Sequence, residues 1–151
     1  MPVPSRDPTP PLLPSAEELC SAIRGHHIAP HPVTRFAGEL GHLYQQPHAR
    51  PSECNCRREE LALAVDLWAS GNLPIPYPDA RLHTETLGAV IDHLARTQTH
   101  AYHLLMTTDD VSAPHVHAAW YQLAELVDGY TELALALTQR STRLPAPGEE
   151  S

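Results

Sequence analysis

The sequence predicts an all-α fold: an antiparallel bundle of four main helices plus a short N-terminal helix, with disordered Pro-rich ends. Three observations lead there. Between residues 15 and 140, apolar side chains recur at intervals of three and four, the signature of one buried helix face. Short or Pro-rich segments separate the longer periodic stretches, which favours antiparallel neighbours. No alternating run bounded by hairpin turns competes with this pattern.

The elements follow in order. Residues 1–14 contain six prolines and lack the means to hold a helix or a central strand. They are expected to form a disordered arm. Ser15 followed by Glu18 is a capping box, and Leu19, Ala22 and Ile23 form a short apolar stripe that stops at Gly25. A second stripe after Pro32 runs through Val33, Phe36, Ala37, Leu40, Leu43 and Tyr44, weakened by Gly38 and Gly41. Ser52 is expected to open a third helix with Leu61, Ala64, Val65 and Trp68 on one face and Gly71 as its stop. The segment LPIPYPDARLH reads as a polyproline-like connector rather than a strand. Thr84 to Met106 is the most regular stretch, and Ser112 is expected to cap a last helix that has Pro114 in its first turn. The expected organisation is therefore an arm over 1–14, a helical domain over 15–140 and a flexible tail over 141–151.

With 151 residues, 42% hydrophobic and 19% charged, the chain is long enough for a core without disulfide or metal staples. All ten basic residues are Arg, so Schiff-base chemistry and a P-loop lysine are excluded. A net charge of -8 argues against nucleic acid or an anionic membrane as a partner. No apolar run reaches membrane-span length, and the opening residues lack a secretory-signal core. Three cysteines do not make a disulfide framework, and a cytoplasmic setting is expected. Gly-rich phosphate loops and a GxSxG elbow are absent from the sequence, and no cofactor is expected.

One polar line has chemical interest. If residues 84–106 form a single helix, Glu85, Asp92 and His103 fall within about 20° of one another, and Arg96 stands one turn after Asp92. The preceding helix offers Asn55, Arg58 and Asp66. Arg58 precedes Leu61 by three and Val65 by seven, close to the buried side, so it needs a carboxylate. Glu85 and Asp92 are the expected partners. Spacing alone leaves three readings open: a solvated helix face with one Asp92–Arg96 ion pair, an interhelical ion pair that fixes register, or polar groups lining a ligand cleft. In the last reading His103 is the acid/base candidate.

ECNCRREELALAVD followed by HTETLGAVIDHLARTQTHAYHLL resembles the bacterial helical family known as domain of unknown function 4254. The resemblance rests on Asn55, Arg58, Leu61 and Val65-Asp66, then on Thr84-Glu85, Gly88, Ile91-Asp92 and Leu94, and later on Tyr102-His103. It covers residues 53–105 well and the last helix loosely. His93 and His100 stand where the family usually has basic residues, and the Asn- and Trp-rich opening helix of longer members is not recognisable in residues 15–46. The resemblance implies a helical bundle and marks Arg58, Glu85, Asp92 and His103 as pattern positions. It implies no reaction.

Cys54 and Cys56, with His26, His27, His31, His42 and His48 upstream, invite a zinc reading, but a second cysteine pair is absent and no metal site is expected. Carboxylate pairs at helical i, i+3 or i+4 spacing, which a magnesium-dependent helical hydrolase needs, are missing from residues 84–106. The eleven histidines read as a His-rich surface. Two functions follow. The first is a non-enzymatic assembly or partner-binding protein, self-associating through the Ser112–Gln139 helix. The second is a binding protein or enzyme for an anionic small molecule that uses Asn55, Arg58, Asp66, Glu85, Asp92, Arg96, Tyr102 and His103, with Arg58 holding the anionic group.

Overall fold

The structure, a computed structural model, describes residues 12–26, 30–46 and 51–147. The helices are α1 (Ala16–Ile23), α2 (Pro32–Tyr44), α3 (Pro51–Asn72), α4 (Leu87–Thr107) and α5 (Pro114–Thr138). The all-α class holds. The only strands among the described residues are two-residue segments, β1 (Arg81–Leu82) and β2 (Thr142–Arg143).

Local chemistry sets the helix ends. The Ser15 hydroxyl accepts from the Glu18 N–H, and Glu18 reaches back to the Ser15 N–H, so the expected capping box opens α1. Gly25 ends it at a φ of 83°, the left-handed region that favours glycine. His31 opens α2: its Nδ1 accepts from the Val33 N–H at 3.1 Å, while its Nε2 reaches the Leu12 carbonyl at 3.0 Å. Thr86 opens α4 by accepting from the Ala89 N–H.

α4 lies at the centre and packs against α1, α2, α3 and α5. His31 meets Trp68 at one end of the α2–α3 pair and Tyr44 meets Arg58 at the other, so these helices run antiparallel. Arg58 approaches Tyr44 and Asp92, whereas Asp66 meets Gly88, so α3 and α4 are antiparallel too. α1 differs. Leu12 touches His31 and Ile23 touches Gln45, so α1 and α2 run in the same direction. Gly41 allows their close approach, because a Cβ there would stand 2.3 Å from the Ile23 carbonyl oxygen. The expected apolar stripes supply the core, with Leu19, Ile23, Val33, Leu40, Val65, Ile91 and Leu94 fully buried.

Several boundaries differ from the sequence reading. Order begins before Ser15: Leu13 is buried, and the Pro14 carbonyl accepts from the Tyr130 hydroxyl at 2.6 Å. The rest of the expected arm, residues 1–11, lies outside the described residues. α3 continues through Gly71 instead of stopping there. α5 begins at Pro114 with Ala113 as its N-cap, while Ser112 instead bonds Asp110 in the preceding turn. The connector carries β1, which pairs in parallel with β2, and this ties down the tail expected to be loose from Ser141. Arg140 helps by stacking 4.2 Å from the Tyr77 ring centroid and donating to the Ile75 carbonyl. Two residues need little strand propensity, because the pairing satisfies backbone groups that Pro-rich segments otherwise leave to water. Residues 148–151 of the tail lie outside the described residues.

Candidate functional site

The start of α4 separates two of the expected site residues from the rest. Thr86 caps the helix, so Glu85 precedes it and is not in line with Asp92 and His103. Its carboxylate lies 3.6 Å from His93 Nδ1, not beside Arg58. Asp66 also has local work. It is 8% exposed, and its Oδ1 accepts from the Gly88 N–H at 2.6 Å, satisfying an otherwise unpaired donor of the first turn. Burial raises the Asp66 pKa, and the bonds from Gly88 and Thr86 oppose that rise. Gly88 is required here, because a Cβ would meet the Ala62 carbonyl oxygen at 2.1 Å.

One turn further along, Arg58 and Asp92 are joined through a third residue. The Tyr44 hydroxyl donates to Asp92 Oδ1 at 2.7 Å and accepts from Arg58 Nη1 at 2.6 Å. The Arg58 guanidinium stands 5.0 Å from the Tyr44 ring centroid, and its Nη2 donates to Asn55 Oδ1. Burial, reinforced by the bond to Asp92, pushes the Tyr44 pKa up to about 12, so its proton stays in the bridge at neutral pH. Burial opposes the charge on Arg58, but Tyr44, Asp92 and Cys54 together raise its pKa. Arg58 is therefore partly buried, with both terminal nitrogens engaged. The direct ion pair to Glu85 or Asp92 is replaced by this bridge, which joins α2, α3 and α4. The expected Asp92–Arg96 ion pair is likewise absent among the described residues. Arg96 is exposed, and with Asn55, Arg58 and Tyr44 it borders a depression of about 370 Å³.

Beyond this bridge the last turns of α4 form one wall of a larger cleft of about 1060 Å³, closed by the ends of α1 and α2 and by α5. Arg24, Arg96, Gln98, Tyr102, His103 and Glu125 line it. Arg24 Nη1 donates to the Tyr102 hydroxyl at 2.6 Å, and the Tyr102 ring packs edge-on against Trp120 at 5.1 Å between centroids. Neither Arg24 nor Arg96 has a carboxylate within ion-pair distance among the described residues. Among the described residues Arg24 Nε at the end of α1, and Gln98 Nε2 and Thr99 Oγ1 on α4, are buried beside this cleft with no hydrogen-bond partner. Thr34 Oγ1 shares that condition but lies on α2, away from the cleft lining.

Residues 50–145 match the family described as a protein of unknown function (DUF4254). The chain belongs to this family. The match extends the resemblance of residues 53–105 through the last helix and β2. No curated protein and no solved structure matches the chain. Seen against the geometry, most of the pattern positions hold α3 to α4: Leu61, Val65, Ile91 and Leu94 are buried, Gly88 permits close approach, and Asp66 caps the next helix. Asn55, Arg58 and Asp92 form the bridge, and Tyr102-His103 reaches the cleft.

The sequence reading missed Arg24, Tyr44 and Gln98. Tyr44 was assigned to an apolar stripe, and its hydroxyl carries no signal at that level. Arg24 had a faint signal: Cys20 and Ser21 stand where a helical ion-pair partner would be. Gln98 had a clear one, as an amide within the stripe of Ile91, Leu94 and Ala101. Among the described residues no three His, Cys, Asp or Glu groups are placed to hold a metal ion. Cys54 and Cys56 sit two apart on α3, directed about 200° from each other. His27 and His48 lie outside the described residues.

Proposed function

We propose that the protein binds an anionic small molecule in the cleft between the ends of α1 and α2, α4 and α5. One observation carries this reading. Two arginines with no acidic partner among the described residues, Arg24 and Arg96, face the same cleft in a chain whose net charge is -8. Arginine without a carboxylate is the usual way to hold a carboxylate or a phosphate. The cleft is at the upper end of the ligand-pocket range, and Ile23, Met106 and Leu126 supply apolar wall. The anion-holding role expected of Arg58 moves to Arg24 and Arg96, because Arg58 is already engaged by Tyr44 and Asn55. His103 lines the cleft and is the acid/base candidate should the bound molecule react.

Self-association through α5 has less support. The large apolar side chains on its outward face are Tyr121, 69% exposed, and Leu135, 58% exposed, which stand about 21 Å apart along the axis. The three unpaired cysteines fit a reducing, cytoplasmic setting, and no described helix is long and apolar enough to cross a membrane. Calorimetric titration with a panel of small carboxylates and phosphates tests the reading. At least one member should bind to the wild type, and the Arg24→Gln/Arg96→Gln double variant should lose it. A panel without a binder, or binding that the double variant retains, contradicts it.

A further inference from the structure

Resting on that anionic reading, we propose that the head group recognised in the cleft is the phosphoryl group of a phosphate monoester. Its oxygens are held by Arg24, Gln98 and Thr99, and Arg96 supplies a second positive charge.

A buried donor without a partner is costly until water, an ion or a ligand completes it, and a concentration of such donors beside one cleft points to a bound acceptor. Three belong to residues lining the one cleft: Arg24 Nε at the end of α1, and Gln98 Nε2 and Thr99 Oγ1 on α4. Gln98 is 2% exposed, so bulk water does not satisfy its amide. Each of the three atoms offers hydrogen to an acceptor. The matching partner is therefore rich in acceptors, which describes an oxyanion.

The number of donors separates a phosphoryl group from a carboxylate. Arg24 uses Nη1 on Tyr102 and keeps Nε and Nη2. Together with the Gln98 amide and the Thr99 hydroxyl, these present more N–H and O–H groups than the four lone-pair positions of a carboxylate receive. Arg96, about 60° around α4 from Thr99 and about 160° from Gln98, adds its own fork to the cleft lining from the Thr99 side. The three terminal oxygens of a phosphate monoester accept this many bonds. Charge agrees with the count. Arg24 and Arg96 bring two positive charges, and a phosphate monoester carries about -1.5 to -2 near neutrality. Of the nearby carboxylates, Asp92 is bound to Tyr44 and Glu85 faces His93, while Glu125 lines the cleft from α5 without an ion pair to either arginine among the described residues. The cleft volume of about 1060 Å³ leaves room beyond the head group for an organic body against Ile23, Tyr102, Met106 and Leu126.

Phenyl phosphate and benzoate share an aryl body and differ in the head group, so they test the inference. The full-length protein is titrated with each by calorimetry, at matched ionic strength with chloride as the only other anion. Phenyl phosphate should bind at least tenfold more tightly than benzoate, and Gln98→Leu and Arg96→Gln should each weaken it tenfold or more. Equal affinity for the two, with Arg96→Gln weakening both, keeps the anion site and overturns the phosphoryl assignment. A phosphate preference that neither variant alters places the ester elsewhere and also overturns it. Failure of both compounds to bind overturns this inference, while the panel titration above judges the anion reading separately. If Gln98→Leu does not fold, Arg96→Gln carries the comparison, since Arg96 is exposed.

Discussion

Between Thr86 and Asp92 the polar groups of α4 are paired: Thr86 with the Ala89 N–H, the Gly88 N–H with Asp66, and Asp92 with Tyr44. Between Arg96 and His103 the same helix presents a guanidinium without a carboxylate, a buried amide without a partner and a buried hydroxyl without a partner. The two tyrosines make the contrast sharper. Tyr44 and Tyr102 each accept from an arginine at 2.6 Å, but only Tyr44 passes its own proton on to a carboxylate. Arg58 is thereby neutralised within the fold, and Arg24 is left to face the cleft. A single helix thus holds the bundle together with its first half and leaves donors unpartnered along its second. Arginine, tyrosine and amide side chains serve either purpose, and the third partner decides which.

The contrast is broken most severely in the paired half. Gly88→Ala places a Cβ 2.1 Å from the Ala62 carbonyl oxygen, so α3 and α4 must separate. A loss of about 3 kcal/mol or more is expected in urea unfolding. Tyr44→Phe leaves Asp92 and Arg58 without their bridge and should cost about 1–3 kcal/mol. Tyr102→Phe removes one bond beside an open cleft and should cost about 0.5–1.5 kcal/mol. The order of those two values tests whether the tyrosines differ as described, and equal losses would remove the distinction.

Gln98→Leu should act in the opposite direction. It deletes a buried amide whose nitrogen has no partner, and stability should rise by about 1–2 kcal/mol. A loss of that size would show that Gln98 is satisfied within the fold. Asp66 gives a pH test. Its folded pKa lies above the ordinary value of 3.8, with burial as the main cause. Its contribution to stability is thus fully present below the unfolded pKa and is lost as pH rises through the folded one. Asp66→Asn keeps an acceptor for the Gly88 N–H and removes that dependence. The variant should therefore gain on the wild type as urea melts move from about pH 4 upward, and a gap that narrows with pH would contradict the assignment. Arg96→Gln should change stability least, within about 0.5 kcal/mol, because Arg96 is exposed and has no acidic partner among the described residues.

Much of the paired half was legible in the sequence. Apolar periodicity placed Leu61, Val65, Ile91 and Leu94 in the core, and the position of Arg58 near the buried side announced an interhelical contact. Its partner was misread because Glu85 was carried into the helix, whereas Thr86 is the cap that the backbone uses. Tyr44 was invisible as a bridge, since periodicity counts a tyrosine as apolar and ignores its hydroxyl. The cleft was harder. Arg24 and Gln98 are 74 positions apart, and only the parallel packing of α1 beside α2 brings the end of α1 to the second half of α4. Of the expected cluster, Asn55, Arg58 and Asp92 come together, Arg96, Tyr102 and His103 reach the cleft, and Asp66 and Glu85 serve the start of α4.

The central claim is that donors bare in the second half of α4 are completed by a bound anion. Nitrogen–proton correlation spectra follow the Arg24 Nε–H and the Gln98 side-chain amide directly while phenyl phosphate is added. Saturable shifts of both signals, with the Ala89 backbone N–H in the paired half unmoved, are the predicted result. Signals of Arg24 and Gln98 that stay fixed throughout the titration, while others move or none do, would contradict it.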